Sequence, residues 1–264
     1  MSGKLDNLSA TKQKTVLLRS VKRAIGRFHL LDDGDRVLIA LSGGRDSLVL
    51  LDILSDRSAW WSRTVEFIAI YVDSGFGTDT DKTKLDGMRD FAAVRGIELH
   101  IAEHHEIASI SFGEDRPQNP CFICSRLRRK ALLENAERLG ANRIALGHHR
   151  EDVLETFLIN AFFGRQIAAI RPNQPLFDGK FRLIRPLFLA QESQVKAYAS
   201  VFAFPDLSSK CPMDGNTKRQ YVKELLRRLE SENPGLQRDL FRALFHPKPD
   251  YLLGDYAKGK KRVD

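Results

Sequence analysis

Val37-Leu38-Ile39-Ala40-Leu41-Ser42-Gly43-Gly44-Arg45-Asp46-Ser47 joins an apolar run to a turn of two glycines, a cation, an acid and two hydroxyls. The run reads as a buried strand, and Leu48-Val49-Leu50-Leu51 behind the turn reads as the body of a helix. Glycine admits positive φ and lets the backbone approach a ligand closely. A strand–turn–helix of this kind aims backbone N–H groups at one spot, and that spot suits phosphate. Neither of the two familiar phosphate loops is present, since the stretch fits neither G-x-x-x-x-G-K-[ST] nor G-x-G-x-x-G.

Outward from this turn, strand and helix patterns alternate. Strands are expected at 36–42, 66–72, 97–102 and 142–147, with a fifth near 181–186. Helices are expected at 46–56, 80–95, 125–139, 151–163 and 190–202. Residues 10–30 read as a basic amphipathic helix, with Val16, Leu17, Val21, Ile25 and Phe28 at helical spacing. The alternation predicts an α/β fold, a doubly wound parallel sheet with helices on both faces. Segment 105–124, with Gly113, Pro117, Pro120 and two cysteines, is expected to be a functional loop inserted between strand and helix, and Arg171–Pro175 a second loop. Two further helices, from Asn216 to about Glu230 and from Pro234-Gly235 to about Phe245, predict a C-terminal helical extension. The tail from Lys258 to Arg262 is basic.

A chain of 264 residues with 42% hydrophobic content can bury a core and is not disordered in general. Its net charge of +8 favours an acidic partner, of which nucleic acid is the commonest. Residues 1–14 are polar, so no secretory signal is expected, and no apolar run approaches membrane-spanning length. The three cysteines cannot all pair within one chain, and a reducing, cytoplasmic setting is expected.

In a doubly wound sheet, ligands sit at the carboxyl ends of the strands. Three polar features fall there: Ser42–Ser47, then Asp73-Ser74-Gly75, then Gly147-His148-His149-Arg150-Glu151-Asp152. Each alone reads equally as an ordinary polar turn; together, at matching strand ends, they point to one site. The cysteines add Cys121-Phe122-Ile123-Cys124 and the distant Cys211. One C-x-x-C suits a redox pair, zinc or an iron–sulfur cluster equally. Basic runs adjoin both positions: Arg126, Arg128, Arg129 and Lys130 follow Cys124, and Lys218, Arg219, Lys223, Arg227 and Arg228 follow Cys211. Such runs are commonly solvated helix faces, and beside the cysteines they would also hold a polyanion.

The turn SGGRDS resembles the SGGKDS loop of the PP-loop pyrophosphatases, which split ATP between its α and β phosphates. With CFICSRLRRKAL, IALGHHREDVLETF, RLIRPL and the late Cys211, the chain from about 15 to 245 is similar to the TtcA-type tRNA 2-thiocytidine synthetases. The resemblance implies three parts: a basic helix at 1–30, a PP-loop ATP-binding domain at 31–205 with the cysteine loop 105–124, and a helical extension with basic tail at 206–264. It implies that Ser42, Gly43, Gly44, Arg45, Asp46, Ser47, Asp73, Gly147 and His148 bind ATP with Mg²⁺. It assigns catalytic roles to Asp46, Asp152 and Arg128, and a 4Fe–4S cluster to Cys121, Cys124 and Cys211. Two positions depart from the family pattern, Arg45 for the usual Lys and Glu151 for the first Asp of GHHxDD. Asp214 stands where related enzymes often carry a fourth cysteine, which leaves one iron of the cluster open.

The implied reaction adenylates the C2 oxygen of a cytidine, at position 32 of a tRNA anticodon loop, and replaces it with sulfur. The implied partners are tRNA, a sulfur donor such as a cysteine desulfurase, and a second copy in a homodimer. The competing readings are a PP-loop enzyme acting on another nucleoside or a small thio-metabolite, a lysidine-synthetase-like ligase, and a zinc-stabilised RNA-binding protein without catalysis.

Overall fold

The run ahead of the glycine turn is β1 (Arg36–Leu41), a central strand of a six-stranded sheet. The other strands are β2 (Glu66–Asp73), β3 (Leu99–Glu103), β4 (Arg143–Ala145), β5 (Asn173–Leu176) and β6 (Phe181–Ile184). The computed structural model describes residues 2–56, 64–76, 81–115, 117–202, 204, 205, 207, 213 and 217–252. The helices among them are α1 (Ser2–Phe28), α2 (Arg45–Ser55), α3 (Asp81–Ala93), α4 (Glu106–Phe112), α5 (Pro120–Arg138), α6 (Arg150–Phe163), α7 (Glu192–Val201), α8 (Lys218–Glu232) and α9 (Leu236–Ala243). No described helix is long and apolar enough to cross a membrane.

The strand order is β3-β2-β1-β4-β6-β5, and all neighbours are parallel except the β5–β6 pair. Strands covered on both faces read as near-continuous apolar runs, as RVLIAL and EFIAIYVD do. Successive side chains of β1 serve opposite layers. Val37, Ile39 and Leu41 join one cluster with Leu17 and Val21 of α1, Leu48 and Leu51 of α2, and Val195 and Tyr198 of α7. Leu38 joins the opposite cluster with Ile68, Ile70, Ile144, Leu183 and Ala136 of α5. At the lower end of the sheet, buried Arg143 of β4 pairs with buried Asp35, and Asn142 Nδ2 donates to Asp35 at 2.8 Å. That network ties the start of β1 to the start of β4.

Three elements differ from the sequence expectation. The edge strand β5 runs antiparallel inside the stretch expected to be a loop; Pro172 and Pro175 mask it, and proline is tolerated because an edge strand leaves N–H groups unpaired. Segment 105–124 is not one loop. It holds α4, and α5 begins at Pro120 rather than near 125, with proline at the first helical position, where its missing N–H costs nothing. The sheet is therefore mostly parallel rather than wholly so.

The chain divides into two units: residues 1–152 with 170–217, and residues 153–169 with 218–264. The first holds the entire sheet. Within the second, buried Glu155 accepts from Arg219 at 3.1 Å, tying α6 to α8, and Glu230 accepts the N–H groups of Gly235 and Gln237, both at 2.8 Å, capping α9.

Candidate active site

The order β2-β1-β4 reverses the direction of winding between β1 and β4, and the crevice at such a switch point is where open α/β sheets bind ligands. The turn after β1 and the turn after β4 meet there. Gly43 has φ of 75°, a conformation that favours glycine, and Gly44 caps α2 in extended conformation. Ser47 folds back: its Oγ donates to Gly44 O at 2.7 Å and accepts from Ser42 N at 3.1 Å. Gly147 lies against this loop so closely that a Cβ would sit 3.1 Å from Asp46 C and O and 3.2 Å from Ser47 N. A side chain there would push the two turns apart by a few tenths of an ångström.

A cavity of about 310 Å³ opens at this meeting point, and Ser42, Asp46, Ser47, Gly147, His148, Asp152 and Arg128 all line it. Seven of the expected residues are thus together. Gly43 and Gly44 shape the loop, and Arg45 is half-exposed with its Nε 3.9 Å from Asp46. Asp73 is not in the lining: its carboxylate accepts from Gly75 N at 3.0 Å and meets His105 Nε2 at 3.0 Å. These contacts tie the end of β2 to the turn after β3.

Three carboxylates surround one buried imidazole. His149 Nε2 is 3.9 Å from Asp46, and its Nδ1 is 3.3 Å from Glu151 and 3.5 Å from Asp152. Burial opposes the charge on His149, but Glu151, Asp152 and Asp46 outweigh it and raise the pKa. Burial raises the pKa of Asp46, against His149 and with Asp152. Burial also works against ionised Glu151, yet contacts to His149, Arg150 and Glu192 N hold its pKa down. Glu151 accepts Glu192 N at 2.8 Å, capping α7, so the longer side chain at this position is used to reach a neighbouring helix. Because His149 holds its proton more tightly folded than unfolded, it adds stability that is complete below its unfolded pKa, about 6.5. That stability is lost as pH rises through the higher folded value. Melting wild type and His149→Gln between about pH 5 and about pH 9 is expected to show a Tm gap that narrows as pH rises. A gap constant with pH would refute the charged imidazole.

His149 belongs to the Gly147–Asp152 feature already expected at this site, whereas Arg185 carries no site role in the sequence reading. Arg185, buried at 3% exposure, donates Nε–H to His148 Nδ1 at 3.2 Å and NH1 to Arg171 O at 2.6 Å. Burial first, and then the like charge of Arg129, push it down to about 10, against the opposing pull of Asp152. The signal available in the sequence was an arginine at the end of an apolar strand, RLIRPL.

The stripe of α5 facing this region is Cys121, Cys124, Arg128 and Leu132, a succession of three- and four-residue steps that share one helix face. Arg128 and Leu132 line the cavity; Cys121 is exposed, and Cys124 is half-buried against Val72, Ile107 and Ala131. At 1.5 Å per residue, Cys124 is about 6 Å along the axis from Arg128. Two thiols one turn apart at a helix N-terminus, where thiolate is favoured, suit a sulfur-ligated metal or cluster. Cys211 and Asp214 lie outside the described residues. For a hard cation, Asp46 Oδ1 is the fitting donor, since it is buried without a hydrogen-bond partner.

A family model described as a PP-loop domain matches residues 14–229. The chain is 34% identical over 259 residues to the tRNA-cytidine(32) 2-sulfurtransferase of Azotobacter vinelandii, covering 95% of this chain and 92% of that one. It is 35% identical over 254 residues to the enzyme of the same name from Geobacter sulfurreducens, covering 94% and 95%. Among solved structures, the U34-tRNA thiolase NcsA from Methanococcus maripaludis, with its 4Fe–4S cluster, shares the fold at a TM-score of 0.70 and 24% identity, covering 91% of this chain and 79% of that one.

Proposed function

Because the chain belongs to the PP-loop domain family and, within it, to the tRNA-cytidine(32) 2-sulfurtransferases, we propose that it is an ATP-dependent sulfurtransferase acting on cytidine 32 of tRNA. The observation that carries the reading is the shared wall of the cavity. The phosphate-binding turn supplies one side, and α5 supplies the other with the stripe that also bears the cysteines.

ATP places its phosphates on the Ser42–Ser47 turn, whose N–H groups and the first turn of α2 favour negative charge. The C2 oxygen of the cytosine attacks the α-phosphorus. A P–O bond forms there, the bond to the β-phosphate oxygen breaks, and pyrophosphate leaves. Arg128 and His148, which line the cavity, would donate to the α-phosphate, and preorganised donors of this kind act most strongly as charge develops. Asp46 and Asp152 would hold Mg²⁺, which when bound would offset the charge of the polyphosphate. Sulfur then forms a bond to C2 as the C2–O bond breaks and AMP leaves. A 4Fe–4S cluster on Cys121, Cys124 and Cys211 would supply that sulfur when bound. The N–H of Leu207, four residues before Cys211 in the sequence, donates to Gly43 O at 3.1 Å, which brings residue 207 to the ATP turn. On the family resemblance alone we further propose a cysteine desulfurase as sulfur source, a cytoplasmic setting and a homodimer.

The test is mass spectrometry of nucleosides from tRNA of cells with and without the protein. 2-Thiocytidine is expected only with it. An unchanged nucleoside profile overturns the reading, and a change confined to another nucleoside replaces cytidine as the substrate.

A further inference from the structure

Unit 153–169 with 218–264 carries a surface that the reaction above does not use. Phe162 and Phe163, at the end of α6, are 53% and 43% exposed, and Tyr221 of α8 is 57% exposed. Their rings form a connected edge-to-face group: Phe162 to Phe163 at 6.3 Å between centroids, and Phe163 to Tyr221 at 6.2 Å. Lys218 sits over the Phe163 ring, its Nζ 5.0 Å from the centroid. Large aromatics left in water together are costly unless they meet something.

The patch is also held rigid. Arg219 reaches buried Glu155 at 3.1 Å and ties α8 to α6. The chain after Phe163 turns tightly: Asn160 Nδ2 donates to Ala168 O at 2.8 Å, Asn160 O accepts Gln166 N at 3.0 Å, and Arg165 has φ of 52°. Lys218 is the cation seen at the rings, and Arg165, Arg219 and Lys223 lie within two positions of Phe163 or Tyr221 in the sequence. From 218 to 252 the chain carries eight Lys and Arg against five Asp and Glu.

We propose that Phe162, Phe163, Tyr221 and Lys218 form a stacking platform for unpaired bases of RNA. It rests on the reading of the chain as a tRNA enzyme and extends it to a second contact with the same substrate. Every base has a π-face, so an aromatic group of this kind binds unpaired bases without regard to sequence, while Lys218 takes a neighbouring phosphate. Charge complementarity selects this occupant. A second copy of the same surface would set lysine against lysine, whereas a polyanion meets Lys218 and the net positive charge of this segment favourably.

The platform is tested by fluorescence anisotropy with an RNA hairpin bearing an open loop and with a blunt RNA duplex. Phe163→Ala and Tyr221→Ala are each expected to weaken hairpin binding about tenfold or more and to leave duplex binding near wild type. Tyr221→Phe keeps the ring and is expected to bind within about twofold of wild type. Phe163→Leu keeps the apolar volume without the π-face, and is expected to bind as weakly as the alanine variant, which covers the case in which alanine perturbs the fold. Lys218→Ala should flatten the dependence of log affinity on log salt by about 0.7. Hairpin binding unchanged in the Phe163→Leu and Tyr221→Ala variants overturns the platform. So does a fall in the mass of the particle in sedimentation of Phe163→Ala, which would assign the patch to contact between copies. Weakened hairpin binding in a protein that forms no 2-thiocytidine would keep the platform and remove the proposed reaction; the converse pair of results would do the opposite.

Discussion

Asp46→Asn is expected to slow ATP-dependent pyrophosphate release by about 10³-fold, the upper end of what one preorganised group at a reacting charge supplies. The cause is local. Asp46 lines the cavity, its Oδ1 is buried without a hydrogen-bond partner, and its Oδ2 is 3.9 Å from His149. A carboxylate in that condition is destabilised in the empty site and relieved by a cation arriving with the polyphosphate. Asparagine keeps the shape and removes the charge. The same substitution should raise Tm of the ligand-free protein at neutral pH. Burial raises the pKa of Asp46, so the folded protein binds that proton more tightly than the unfolded chain does. The ionised form therefore costs stability above the folded pKa, and the cost disappears as pH falls below the unfolded one. The gain from Asp46→Asn should shrink accordingly towards acid pH, a trade of activity for stability expected at a working site. Pyrophosphate release within tenfold of wild type, or a lower Tm at neutral pH, would count against this account.

What could be read from the sequence is what local chemistry declares. The apolar run 37–41 with its glycine turn declared β1, the phosphate-type loop and α2, and the GHHRED stretch declared a second polar turn at a strand end, though not that its strand lies next to β1. Spacing placed Leu17, Val21 and Ile25 on the buried face of α1, where they pack. The missed elements are those in which residues usually read as breakers are used in their permitted positions. Pro120 opens α5, and Pro175 sits in an edge strand. Why residue 75 is glycine is likewise not local: its φ is 77°, and a Cβ there would sit 2.6 Å from His105 O. The antiparallel pairing of β5 with β6 has no local signature at all. Nor does the meeting of residues distant along the chain: nothing in RLIRPL says that its second arginine will reach a histidine 37 positions earlier.

That arginine carries the other large effect. Arg185→Met is expected to lower kcat by about 10²-fold, the cost of a small misplacement in a reacting site, while leaving Tm unchanged or higher. Arg185 Nε donates to His148 Nδ1 at 3.2 Å, so Nδ1 accepts and the hydrogen of the neutral ring is left on Nε2. His148 lines the cavity, and a ring locked in that tautomer presents a donor to developing phosphate charge. Arg185 is held there against burial that pushes its pKa down to about 10, with the like charge of Arg129 adding to the cost. Methionine matches the length, removes the desolvated cation and frees the imidazole. Arg185→Lys restores charge without the planar fork, so it is expected to remain impaired. A purely structural role would lower Tm and leave the imidazole as it was. Nitrogen NMR of His148 separates the two: wild type should show Nδ1 as acceptor with the hydrogen on Nε2, and Arg185→Met a mixture of tautomers. Wild-type kcat in the methionine variant, or the same single tautomer in both proteins, would show that Arg185 does not position His148.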